Sequence, residues 1–351
     1  MMDQTVYGLT TLEGATRLTE RKTRVEGRRI RPVIAGGLAA VVGPTPRGRP
    51  WQTRQHRALH RLRVYQTVLE TVMAVMPILP ARFETRMASP ERIRTFLDSC
   101  GRDLRQPLDQ YGSLIQFEVM VSWSVVDAIE QLRADGLIGL KFGQGREHDL
   151  ETARALKAAV EGHRCGLTER IRTMLAAVSL DVIETPRMEE TVVANFTCLL
   201  RRADELSLDA ALKAFDRETG GRLKIRCIGP LPACSFAAVE VEEADFRTVD
   251  AARRRLRLAE TVTMEDLKRA YRRAVKHLHP DTNPGGEAVS EDMARLRDAY
   301  NLLCRVADGQ LRRPIVAPTT DQPAVHFNAP TVQRSFSVRL RRVGDETAEA
   351  A

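Results

Sequence analysis

The sequence predicts an α+β protein: two α+β units in tandem, then an all-α helical hairpin, then an extended tail. Two alternations of short β-branched runs with helical apolar spacing fill the chain up to residue 242. From residue 246 the pattern turns almost wholly helical and strongly basic. Pro314, Pro318, Pro323 and Pro330 then punctuate the end of the chain. These shifts divide it into units at 1–125 and 126–242, a helical module at 246–307, and a mostly extended or disordered tail at 308–351.

Residues 5–9 and 29–42 read as strands, ended by the turn-rich GPTPRGRP at 43–50. Leu59, Leu62, Leu69 and Val72 keep helical spacing and predict a helix over 51–76, closed by Pro77; residues 78–83 follow as a short strand. Ser89-Pro90 opens a helix over 91–108, because serine caps orphan backbone amides and proline suits the first helical position. The alternation in LIQFEVMVSW makes 114–123 the clearest strand. Beyond Gly136, Gly139, Gly143 and Gly145 a helix is expected over 150–178. There follow a strand at 190–200, a helix at 206–218, a strand at 222–228, a proline-punctuated turn at 229–236 and a strand at 237–241. Connections this short suit small antiparallel sheets, each covered on one face by helices. In the tail, Phe336, Val338 and Leu340 alternate and suit a strand added to a sheet edge.

Composition narrows the function classes. With 351 residues, 43% apolar and 28% charged, the chain can bury its own cores without a metal or disulfide staple. Its six cysteines are scattered and read as free thiols in a reducing cytosol. The first residues do not read as a secretory signal, and the longest apolar run, 72–81, is too short to span a bilayer. A cytoplasmic location is expected. Fifty-four basic against 46 acidic residues leave a net charge of +8, which suits an acidic partner surface or nucleic acid.

One segment carries a mechanism. Over 263–303, Met264, Leu267, Tyr271, Ala274 and Leu278 form one apolar stripe and Met293, Leu296, Tyr300 and Leu303 another, so two helices can face each other. Thr263 and Asp266 have capping-box spacing. At about 100° per residue, Arg269, Arg272, Arg273 and Lys276 fall together opposite the first stripe, as a positive ridge. The connection begins His279-Pro280-Asp281: a proline-fixed turn would present an imidazole and a carboxylate at a set angle. The basic K-R-A-Y-R-R helix, the His-Pro-Asp loop and the following D-A-Y-N-L-L helix together resemble the J-domain of DnaJ-type co-chaperones. The resemblance implies that Arg269, Arg272, Arg273, Lys276, His279, Pro280 and Asp281 engage a DnaK-type chaperone and stimulate its ATP hydrolysis, with no catalysis by this chain. Residues 251–258 (AARRRLRL) would supply the first helix of such a domain, although their arginines are unusually dense.

The larger part of the chain resembles the gas vesicle protein F/L family. The likeness rests on VYGL at the start, GGLAAVVG at 36–43, ILPARFE at 78–84, LIQFEVMVSW at 114–123 and IGPLPACSF at 228–236. Glu84 stands where the family usually has glycine, and Ala233-Cys234 where it has a Pro-Tyr pair. The resemblance implies two ferredoxin-like units and a role in gas vesicle assembly, with the small shell protein and other gas vesicle accessory proteins as partners. A subunit apolar enough to wall off gas exposes sticky surface before assembly and needs holding. Holding shell subunits and recruiting a chaperone to them is the function expected, at the vesicle in the cytoplasm.

Other readings are weaker. His56 and His60 lie four apart without a third ligand, His277 and His279 are absorbed by the hairpin, and no metal or cofactor is expected. GPTPRGR lacks the lysine and hydroxyl of a phosphate loop, and neither a serine elbow nor a cysteine–base pair is present, so an enzyme is not expected. Arg253–Arg257 (RRRLR) raises nucleic-acid binding as an alternative, without the interleaved aromatics that single-strand binders use. A J-domain co-chaperone serving an unrelated client is the other alternative.

Overall fold

The computed structural model describes residues 4–46, 53–134, 136, 146–187, 189–278, 286–311 and 323–344. The chain forms two compact units, each assembled from separated stretches. One comprises Met1–Val68, Ala81–Leu108 and Val239–Leu340, the other Leu69–Pro80, Asp109–Ala238 and Arg341–Ala351.

In the first unit, Gln4–Thr10 pairs antiparallel with Leu38–Pro44, which pairs in turn with Arg31–Ala35. Ala35 and Leu38 are joined by Gly36 and Gly37, whose φ values of +58° and +76° match the primed two-residue turn that a twisted hairpin prefers. This turn also presses on the helix Pro90–Tyr111: a Cβ on Gly36 would lie 2.1 Å from the Leu97 carbonyl oxygen. Ser89 caps that helix as expected, accepting from the Arg92 amide at 3.2 Å, and Ile93, Phe96, Leu97 and Cys100 are buried along one face. A helix over Leu12–Arg21, capped by Thr11 and burying Ala15 and Leu18, has too short an apolar period to be read from sequence. Residues 78–83 keep strand geometry only at Leu79–Pro80, and Glu84 adopts φ +66°. Glycine would adopt that left-handed backbone without strain.

The second unit is built on a four-stranded antiparallel sheet in the order Leu223–Pro232, Leu114–Trp123, Val192–Arg201, Asp181–Glu184. The alternation in LIQFEVMVSW puts Ile115, Phe117, Val119, Val121 and Trp123 into one core with Phe196, Cys198 and Leu200. Helices Arg146–Val178 and Glu205–Glu218 cover it through Leu167, Ile171 and Leu175 and through Leu208, Leu212 and Phe215. Burial pushes the Cys198 thiol up to about 12. On the opposite face the buried Gln116 amide exchanges two hydrogen bonds with Ser235, at 2.9 and 3.1 Å. The helix Val125–Ala134 was not expected from sequence.

The helical module belongs to the first unit: a lead helix Phe246–Arg255, a ridge helix Met264–Leu278 and a return helix Gly286–Leu311. Between the lead and ridge helices, in a stretch read as almost wholly helical, Thr261–Thr263 forms a strand paired with Ala324–His326. The tail is therefore more ordered than its prolines suggest. Val325, Phe327 and Val332 are fully buried in the module's core, because these apolar residues have a ready groove among the helices. Gln310 fixes the backbone there, donating to the His326 carbonyl and accepting from its amide, both at 2.8 Å. Asn328 then caps a short helix, and Phe336–Arg341 pairs with Ala238–Glu243 as the added strand that its alternation suggests. The rest of the tail, 312–322 and 345–351, lies outside the described residues.

Candidate functional site

The ridge helix begins at a reciprocal cap. The Asp266 amide donates to Thr263 Oγ1 at 3.1 Å, while the Thr263 amide and hydroxyl donate to Asp266 Oδ2 at 3.1 and 2.8 Å. Those two bonds hold the Asp266 carboxyl below the ordinary carboxylate range, with Arg269 and Arg273 adding to the effect. Inward, Leu267 and Ala270 are buried. Tyr271 stacks on Tyr300 of the return helix with ring centroids 4.2 Å apart and planes 20° apart, which keys the two helices in register. Burial, with the Cys304 thiol bonded beside it, pushes Tyr300 up to about 12, so its hydroxyl stays neutral.

Arg269, Arg272, Arg273 and Lys276 are all exposed on the outer side of this helix, as the wheel predicts. Arg269 lies 3.8 Å from Asp266, one turn back, an exposed pair worth little in water. The ridge thus offers solvent-facing positive charge on a capped and braced scaffold, suited to steering an acidic surface. His279, Pro280 and Asp281 lie outside the described residues.

The lead helix spans 246–255, earlier than the 251–258 suggested by the arginines, and its packing explains their density. Val249, Ala252, Leu256 and Leu258 face the core. Arg253 is turned inward, bonded to Asp250 at 2.6 and 3.0 Å and to the Leu258 carbonyl at 2.6 Å, and Arg254 also reaches Asp250 at 2.9 Å. Two of the arginines in RRRLR are therefore structural. The other two, Arg255 and Arg257, flank Leu256 at a cavity of about 590 Å³ that also touches the ridge and return helices. Sequence reasoning missed this cavity. Its only signal was the small pair Ala270 and Ala274 on the inner stripe of a helix otherwise rich in large side chains.

Elsewhere, the other sequence candidates separate. His56 is engaged with Thr53 at 2.7 Å and His60 lies 3.7 Å from Glu26, so the two do not converge on one point. Among the described residues no group of three or more His, Cys, Asp or Glu side chains is placed to hold a metal, and no helix is long and apolar enough to cross a membrane.

Comparison with known proteins places this geometry. The family model described as gas vesicle synthesis protein GvpL/GvpF matches residues 5–238. The chain belongs to the GvpL/GvpF family. A DnaJ domain model matches residues 254–310, the stretch that holds the ridge and return helices. The crystal structure of the gas vesicle protein GvpF from Anabaena sp. PCC7120 shares the GvpL/GvpF fold, with a TM-score of 0.51 at 17% identity, over 66% of this chain and 94% of that one. Chaperone protein DnaJ of Caldicellulosiruptor saccharolyticus is 43% identical over 51 residues, 14% of this chain and 12% of that protein. Chaperone protein DnaJ of Ehrlichia ruminantium (strain Gardel) is 42% identical over 48 residues, 14% of this chain and 13% of that protein. The likeness to these DnaJ proteins covers little more than a tenth of their length, so it speaks for the domain alone. This member of the GvpL/GvpF family thus carries a DnaJ domain C-terminal to its family region.

Proposed function

We propose that this chain is a gas vesicle assembly factor that holds shell subunits through its GvpL/GvpF part and recruits a DnaK-type chaperone through its DnaJ domain. It stimulates the partner's ATP hydrolysis and performs no catalysis itself. It works in the cytoplasm, at the growing vesicle, beside other gas vesicle accessory proteins. The observation that carries this reading is the exposed row Arg269, Arg272, Arg273 and Lys276 on a braced helix, immediately before His279-Pro280-Asp281, in a GvpL/GvpF chain. A cationic ridge speeds encounter with an acidic partner and makes it salt-sensitive. The Asp281 carboxylate is suited to a charge-assisted bond from a partner guanidinium.

The test measures steady-state ATP hydrolysis by the host's DnaK-type chaperone with the purified full chain. His279→Gln is expected to abolish stimulation at unchanged helical content. Arg272→Glu with Lys276→Glu is expected to weaken it and to flatten its salt dependence. Full stimulation by the histidine variant refutes the recruitment mechanism. In the native host, shell protein that never co-purifies with the full chain while other clients do refutes the gas vesicle half of the proposal.

A further inference from the structure

The cavity between the lead, ridge and return helices joins two chemistries. Its floor is aliphatic, from Leu256, Ala270, Ala274 and Leu296. Its rim is cationic, from Arg255, Arg257 and Arg273, with His277 beside them, all exposed. Among the described residues, none of the three arginines has a carboxylate within ion-pair distance. Asp266, the acid that Arg273 influences, has its Oδ2 bonded to the Thr263 cap, and Asp292 at the far wall lies 3.7 Å from Arg295. Gathering uncompensated like charges at one opening is unfavourable until an anion arrives, and three guanidinium groups suit carboxylates bound two oxygens at a time.

From this we infer that the cavity is a docking groove for an extended acidic segment of a partner protein, with an aliphatic side chain in the floor and flanking carboxylates on the arginine rim. At about 590 Å³ the volume lies in the range of sites that enclose several side chains' worth of ligand. Nucleic acid fits less well, because no Phe, Tyr or Trp lines the cavity for a base to stack on and an aliphatic floor does nothing for a phosphate chain. Arg257 adds a structural sign. It occupies φ +52° directly after the lead helix, a position where glycine is normally preferred, so here a charged side chain is carried at a conformational cost. Arg273 is shared with the row proposed for chaperone recruitment, so the test varies Arg257 and Ala274, which lie outside that row, and requires no chaperone.

The probe is a fluorescein-labelled hexapeptide with two central leucines flanked on each side by two glutamates, titrated by anisotropy into the full chain. Saturable binding is expected with Kd below about 1 mM at low salt, weakening as salt is raised. Arg257→Gly should lower affinity about fivefold or more while leaving the melting temperature unchanged or higher, since glycine relieves the left-handed backbone. Ala274→Leu fills the floor without altering any charge and should lower affinity about tenfold. A peptide with serines in place of the leucines should bind correspondingly weakly, which keeps the floor testable should Ala274→Leu fold poorly. The inference is overturned by any of four results: no saturable binding up to about 1 mM, affinity unaffected by both variants, equal binding of the serine peptide, or tighter binding of a hexauridylate of similar charge.

Discussion

Replacing Phe336 with alanine tests whether the end of the chain is part of the fold. The Phe336 side chain is 3% exposed. Its ring meets Phe96 edge-on with centroids 5.6 Å apart and planes at 64°, and the Arg92 guanidinium sits 4.3 Å from its centroid. The backbone is tied down beside it: Arg92 donates to the Gln333 carbonyl, Ser99 to the Arg334 carbonyl at 3.3 Å, and Arg92 pairs with Glu243 at 2.9 Å. Burying such a ring removes roughly 150 Å² or more of apolar surface at about 25 cal/mol per Å², and phenylalanine-to-alanine changes in cores cost about 3–5 kcal/mol. A six-residue strand in a two-stranded sheet can peel away without unfolding the unit, so the loss should appear as easier local opening. Taking about 3–4 kcal/mol, amide exchange across Phe336–Arg341 should accelerate about 100- to 1000-fold. Native-state hydrogen exchange read by mass spectrometry on a peptide covering 329–344 measures this, with Leu114–Trp123 as an internal reference that should not change. Phe336→Leu loses only the ring contacts, about 1–1.5 kcal/mol, and should give about tenfold. Acceleration below about tenfold in the alanine variant would refute the view that this ring pins the strand.

Three further outcomes are expected. Gly36→Ala should destabilise the first unit by about 3 kcal/mol or more, since it adds a Cβ 2.1 Å from a backbone oxygen at a left-handed φ; chemical denaturation checks it, and a loss under about 1 kcal/mol would contradict the packing. Glu84→Gly should be more stable than Glu84→Ala by about 1 kcal/mol, because both lose the Arg61 contact but only glycine relieves φ +66°; equal melting temperatures would contradict that account. Asp266 ionises below the ordinary 3.8 in the folded chain, so its cap is fully present above that value and is lost as pH falls through the lower folded value. The ridge helix should therefore fray at its start in that window, and Asp266→Asn should remove this acid-dependent component from a carboxylate-selective NMR titration; an Asp266 that titrates at its ordinary value would contradict the cap.

Local repetition made much of this protein readable from its residues. Alternation is a period of two and a helix repeats every 3.6 residues, so LIQFEVMVSW, the ridge and return helices and the Thr263–Asp266 cap could be placed from short windows alone. The row Arg269, Arg272, Arg273 and Lys276 follows from the same arithmetic, and the family and DnaJ motifs were legible because each depends on near neighbours. Tertiary packing decided the rest. Whether Ala270 and Ala274 leave a void, and whether a proline-rich tail comes to rest over the helical core, depend on partners tens of residues away. Interactions of that reach leave no periodic trace in the chain, because they are set by which apolar surfaces remain uncovered once the local elements have formed.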